Sequence, residues 1–175
     1  AARRDAVAAR RHVYGDPRTL YGRGGGVFGL ARLVDRLMDA WMGDATLNAN
    51  AKVARWHGAG MREGFKFLVT QLVCYLAGGP QRYTGRPMDA CHKHLNISEA
   101  EWRAFMAIFG DVCGECGLAA ADADDLAALM TSMEDECVVR PGERARADPG
   151  PWRPGGGTVY GRCGGVYPLA LFCDR

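Results

Sequence analysis

The sequence predicts an all-α domain on two observations. Apolar side chains recur at the three-then-four spacing of a buried helix face through most of residues 19–139, and the alternation of a half-buried strand is almost absent. The residues that punctuate these stretches are those that begin and end helices.

The first stripe holds Leu30, Leu33, Val34, Leu37, Met38 and Trp41, and follows Gly24-Gly25-Gly26. Such a glycine run breaks the chain where neighbouring helices cross closely. A second stripe, Phe65, Leu68, Val69, Leu72, Val73 and Leu76, runs into a similar break at Gly78-Gly79-Pro80. Pro87 suits the first turn of a short helix through Leu95, because its missing N–H would go unpaired there. Ser98 with Glu101 forms a capping box before the third stripe, Trp102, Phe105, Met106, Phe109, Val112, Cys113 and Cys116. Gly117 stops that helix. Asp122 with Asp125 is a weaker start signal for a fourth stripe of Leu126, Leu129, Met130, Met133 and Cys137.

Three further zones flank this domain. Residues 1–18 are rich in Ala and Arg, with five arginines against Asp5 and Asp16. That is the composition of a basic arm or of the remnant of a mitochondrial or plastid transit peptide; the plainer reading is a frayed, solvated helix. Residues 140–157 read as an irregular Pro/Gly/Arg linker. Residues 158–175 then repeat residues 19–36 at 11 of 18 positions. A repeat at so long a period indicates tandem domains, so the segment reads as a partial second copy.

Composition removes several classes of function. With 175 residues, 48% of them hydrophobic, the chain can bury one proper core and is not disordered throughout. Its 22 Lys+Arg nearly balance 20 Asp+Glu, so charge gives no case for nucleic acid as a partner. No apolar run reaches the ~18–20 residues of a membrane span. Seven cysteines, odd in number and irregularly spaced, read as the reduced thiols of an intracellular compartment, because a domain this size needs no staples.

His92 carries the most chemical information. It lies four residues after Met88 and three before Leu95, so all three share one apolar face. A neutral imidazole on such a face is either a satisfied core histidine or the fifth ligand of a haem iron. His94, two residues on, is expected to point elsewhere, to the surface or the propionate edge. Cys113-Gly114-Glu115-Cys116 has the spacing of redox and zinc motifs, with Cys91, His92 and His94 as further zinc donors. On an apolar helix face with no strand nearby, the plainer reading is packing. Gly24–Gly26 is no phosphate loop, since no Gly-Lys-Ser/Thr follows it.

The order Leu20-Tyr21, Gly25-Gly26, Gly78-Gly79-Pro80, Tyr83-Thr84-Gly85-Arg86-Pro87-Met88 and Cys91-His92-Lys93-His94-Leu95-Asn96-Ile97 resembles the group I truncated haemoglobins. These are two-over-two globins, shortened at the first helix, and the resemblance spans residues 19–139. Residues 47–50, 65–70 and 96–102 are similar to a bacterial-type branch. The resemblance implies haem b (iron protoporphyrin IX) with His92 on the iron. It implies a pocket of Met38, Phe65, Leu68, Val69, Leu72, Met88, Leu95 and Phe105. Lys66, Tyr83 and Arg86, with Arg82 and Lys93, are candidate partners of the propionates. The implied function is binding or transport of a diatomic gas, oxygen or nitric oxide, with a nitric oxide dioxygenase-type activity left open.

The distal side departs from the family pattern. Met38 stands where many members carry a tyrosine, and Asn50 or Ala51 where an aromatic wedges the haem. Phe65 and Val69, with Leu68 between them, occupy the positions of common hydrogen-bond donors. Thr70 and Gln71 lie off the apolar stripe, so bound oxygen is expected to lack a charge-assisted bond worth ~1.5–3 kcal/mol. Met38, Lys66 and His57 are candidate sixth ligands. The alternative, from another class, is a globin-fold interaction subunit with haem lost or not exchanging ligand. Its partner would be a second globin domain or a larger assembly engaged through the termini.

Overall fold

The computed structural model describes residues 13–58 and 61–150. Most of the basic N-terminal arm, the end of the expected linker and the repeat at 158–175 lie outside these residues.

The helices are α1 (Leu20–Arg23), α2 (Gly26–Gly43), α3 (Ala45–Asn48), α4 (Ala51–His57), α5 (Arg62–Leu76), α6 (Met88–His92), α7 (Glu99–Glu115), α8 (Ala120–Thr131) and α9 (Glu134–Cys137). A 3₁₀ turn, Lys93–Leu95, extends α6. The described residues form no strand, only an isolated parallel bridge between Ile97 and Val138. α2 packs on α5 and on α7, and α7 packs on α8, so one helix pair lies over another around a shared core.

The stripes account for this packing. Leu30, Leu33, Val34 and Leu37 of α2 are completely buried, joined by Phe109, Val112 and Cys113 of α7 and Leu126 of α8. The α5 stripe behaves differently along its length. Val73 and Cys74 enter the core, whereas Phe65, Leu68, Val69 and Leu72 are only half-buried. An apolar helix face without a helix on it is facing something else, and here it faces a cavity.

The punctuation falls close to expectation. The Ser98–Glu101 capping box is complete, and Gly117 follows α7 at φ 71°, the left-handed conformation that glycine adopts cheaply. Pro87 sits one position earlier than expected, as the extended residue that caps α6 (φ −52°, ψ 146°). Asp122 lies in the first turn of α8 and accepts from Arg23 Nε at 2.6 Å, while Asp125 takes Arg23 Nη2 at 3.1 Å, tying α1 to α8. The fourth stripe is split between α8 and α9. The break after α5 has a steric cause: a Cβ on Gly79 would lie 2.6 Å from the ring of Tyr21, whose backbone N–H donates to Ala77 O at 2.9 Å.

Residues 138–150 carry no helix but are fastened to the domain. Val139 N–H donates to Ile97 O at 2.8 Å. Lys93, almost wholly buried, donates through Nζ to Val138 O at 2.5 Å and pairs with Glu143 at 2.7 Å. Arg146 pairs with Asp89 at 2.6 Å, Arg55 with Asp148 at 3.5 Å, and Arg86 Nη1 donates to Gly150 O at 3.1 Å. This closing segment therefore joins α6 to α4.

Among the described residues no helix is long and apolar enough to cross a membrane. Cys113 is buried in the core, its thiol pushed up to about 11 by burial, so packing describes it better than redox chemistry. No group of three or more His, Cys, Asp or Glu among the described residues is placed to hold a metal ion.

Candidate functional site

A cavity of about 470 Å³ lies among α2, α4, α5, α6 and α7, inside the ~300–1,000 Å³ range of cofactor and small-ligand sites. α5 supplies Phe65, Leu68, Val69 and Leu72, with Met38 of α2 beside them. Met88 and His92 of α6, Leu95 of the 3₁₀ turn and Phe105 of α7 line it from other sides, and Tyr83 and Arg86 come from the chain leading into α6. Thr70 and Gln71 stay out. The Thr70 hydroxyl donates to Lys66 O at 2.7 Å, and Gln71 Oε1 accepts from the Thr84 hydroxyl at 2.8 Å.

Of the anticipated cations Arg86 lines the cavity, and Lys66, Arg82 and Lys93 do not. The ammonium of Lys66 lies 2.6 Å from Asp35 and 3.0 Å from Asp39 of α2. Burial disfavours its charge, but the bonds to Asp35 and Asp39 outweigh that and raise its pKa. Being next to Phe65 on a helix, it is turned about 100° away from the apolar stripe, toward the acidic flank of α2. Lys93, tied into the closing segment, is likewise committed.

His92 is held in a defined state. Its Nδ1 lies 3.0 Å from Met88 O and 3.2 Å from Cys91 Sγ; the thiol can take either role but the carbonyl can only accept, so the nearer contact places the proton on Nδ1 and Nε2 keeps a free lone pair. Burial lowers its pKa, against the Met88 bond and with a smaller contribution from His94, so the ring is neutral. A neutral imidazole whose other nitrogen donates to a backbone carbonyl is the usual form of a metal-ligating histidine.

Of the two placements expected for His94, the structure excludes the surface. His94 is 5% exposed and lines the same cavity, its ring edge-on to Trp56 with centroids 5.7 Å apart. The cause is local: the chain passes from α-helix to 3₁₀ turn at His92 (φ −120°), and the tighter winding changes where the next side chains lie. Neither His94 ring nitrogen has a hydrogen-bond partner, and burial lowers its pKa. A buried polar group left so costs ~1–3 kcal/mol unless an occupant of the cavity pairs with it.

An aromatic does line this side of the cavity, although Asn50 and Ala51 are not aromatic. Trp56 of α4 lines the cavity between Phe65 (centroids 6.3 Å) and His94, and His57 and Met61 lie beside it. The sequence signal for α4 was present in Asn50, whose side chain accepts from Lys52 N and Val53 N as an N-cap. Val53 and Trp56, three apart, form the inward face of that helix. Trp102, stacked on Phe105 at 5.1 Å, completes the wall on α7.

Fold and cavity together define a truncated globin. The truncated haemoglobin of Tetrahymena pyriformis in the Fe(III) form superposes with a TM-score of 0.58 at 19% identity, over 70% of this chain and 99% of that one. Two mutant forms of the same Tetrahymena protein, also Fe(III), give 0.61 and 0.59 over the same shares at the same identity. No curated protein sequence matches significantly. Residues 19–138 match the bacterial-like globin family, and the chain belongs to it. Membership implies haem as the cofactor. The cavity fits a flat, mostly apolar group: its walls are apolar, one carries a neutral imidazole with a free Nε2, and the unpaired His94 lies among the charges of Asp148, Lys52 and Arg86, of which Arg86 lines the cavity.

Proposed function

We propose that the chain binds haem b through His92 and that this haem takes a diatomic ligand, oxygen or nitric oxide. The observation that carries the reading is the His92 ring, with Nδ1 committed to Met88 O and Nε2 left bare on a wall of the cavity. Haem supplies the iron at which such a ligand is taken. His92 would hold the iron through Nε2, and its Nδ1–H bond fixes ring orientation and tautomer while raising the basicity of Nε2. Phe65, Leu68, Val69 and Leu72 exclude water and present no donor. Tyr83 donates its hydroxyl to Arg86 O at 2.9 Å and so shapes the loop that carries Arg86. The Arg86 guanidinium spends Nη1 on Gly150 O and keeps its other donors for a carboxylate.

Titration of the chain with haemin tests the proposal. Uptake at one equivalent with a strong Soret band is the expected result. A colourless chain that takes up no haemin would favour the interaction-subunit reading instead.

A further inference from the structure

The cavity holds a second imidazole prepared in the same way as His92. His57 ends α4 and lines the cavity, and its Nδ1 lies 2.8 Å from Asn48 Oδ1. The Asn48 amide is not free to turn over, because its nitrogen donates to Met42 O at 2.9 Å and to Asp44 O at 2.8 Å. The oxygen therefore faces the ring, and an oxygen acceptor there places the imidazole proton on Nδ1. Nε2 keeps its lone pair and has no hydrogen-bond partner among the described residues.

We infer, resting on the haem reading above, that His57 Nε2 is the sixth ligand of the haem iron. Without an external ligand the iron is held by His92 and His57 together, and a diatomic ligand binds only when His57 leaves.

The other candidates are weaker on the same evidence. Lys66 is spent on Asp35 and Asp39. Met38 lines the cavity, but its thioether is packed into the core cluster and carries no orienting hydrogen bond. His94 shares one tight turn with His92, and two residues of one turn do not span both faces of a flat group; its ring also lacks the orienting bond that ligating histidines carry. Hydrogen bonding from His57 to a bound ligand is opposed by the same geometry, since Asn48 holds the proton on Nδ1 and Nε2 has none to donate.

The test uses the whole chain loaded with haemin. The ferric protein should show the low-spin absorption and electron paramagnetic resonance spectra of a bis-imidazole iron. Carbon monoxide association with the ferrous protein should reach a plateau as gas concentration rises. His57→Ala should become high-spin, lose the plateau, associate with carbon monoxide about tenfold faster or more, and regain the low-spin spectrum with added imidazole. His57→Gln guards against a folding defect in the alanine variant and should lose the low-spin signal equally. Nitrogen NMR of the haem-free chain should find the His57 proton on Nδ1. A high-spin ferric wild type would overturn the inference, as would a low-spin spectrum that survives both substitutions. Either result with stoichiometric haemin leaves the haem reading standing, whereas failure of the wild type to take up haemin overturns both.

Discussion

The α5 wall and the α6 wall of the cavity are built by opposite means. Phe65, Leu68, Val69 and Leu72 come from one 15-residue helix, and their spacing alone puts them on one face. The opposite construction is seen at α6 and its 3₁₀ turn, five and three residues long, too short to persist unaided. Its backbone is held by Asn50 Nδ2 on Leu95 O at 3.1 Å and Lys52 Nζ on His94 O at 3.0 Å, and Lys93 Nζ anchors it to Val138 O. These partners lie 42 to 45 residues away in sequence. A wall that only excludes water can be written by one periodic segment. A wall that presents imidazoles at fixed angles is held from several distant points.

Substitution on the two walls should therefore differ in kind. The largest effect is expected from His92→Ala, which should weaken haemin binding more than ~100-fold, beyond the cost of losing an orienting partner alone, or leave a spectrum that imidazole restores. His94→Ala should keep the axial ligand. If His94→Ala gives the larger loss in a haemin titration, the assignment of the two histidines is reversed.

On the α5 wall, Phe65→Gln puts a donor where none lines the cavity. Fast-mixing kinetics should show oxygen dissociation slowed about 10–100-fold, the equivalent of a bond of ~1.5–3 kcal/mol, with carbon monoxide affected less. An unchanged oxygen off-rate would mean that the wild-type cavity already offers a donor.

Lys93→Met tests the tethering of the α6 wall. Removing a buried charged donor should cost about 1.5–3 kcal/mol in denaturant unfolding. The pH dependence should change with it. The hydrogen bond from Lys93 holds the Glu143 carboxyl below its ordinary value of 4.5. A depressed native pKa lends stability above 4.5 that is lost as pH falls through the depressed value, because the unfolded chain there binds more protons than the native one. That part of the acid-unfolding slope should be absent in Lys93→Met.

The smallest effect separates function from stability at one residue. His94→Phe removes two unpartnered buried nitrogens and should stabilise the haem-free chain by about 1 kcal/mol while weakening haemin uptake. Thermal unfolding of the haem-free variant alongside haemin titration checks both signs.

How much of this was legible in the sequence follows the same division. The helices and the α5 wall were legible because periodicity is a local signal, and Phe65, Leu68, Val69 and Leu72 line the cavity together. That His92 shares a cavity wall with Met88 and Leu95 was legible from their spacing. His94 was misplaced because the α-to-3₁₀ transition leaves no mark in residue spacing. Trp56 was hidden in a seven-residue helix too short to show a stripe, whereas His57 stood only as one of three candidate sixth ligands with nothing in its spacing to favour it. Lys66 was misread because the alternation of charge around a helix does not say which neighbour lies alongside. The Pro/Gly content of residues 138–150 signals irregular chain, but nothing in composition says that irregular chain is pinned to α6 and α4.

That pinning is unequal along its length. At the inner end Lys93 is buried, where salt hardly reaches it. At the outer end the pairs Arg146–Asp89 and Arg55–Asp148 are exposed, the latter arginine side chain by 79%. At ~1 M salt the screening length falls to about 3 Å, so these two pairs weaken while Lys93 and the bond from Arg86 to Gly150 O are little affected. The segment thus bridges the two helices that carry His92 and His57 by ties that differ in their sensitivity to salt. Transfer of haemin from the loaded chain to an excess of an acceptor protein should accelerate with salt, and the acceleration should vanish in Arg55→Ala/Arg146→Ala. Because the α5 wall is apolar and indifferent to salt, the medium would then govern how long a bound haemin stays.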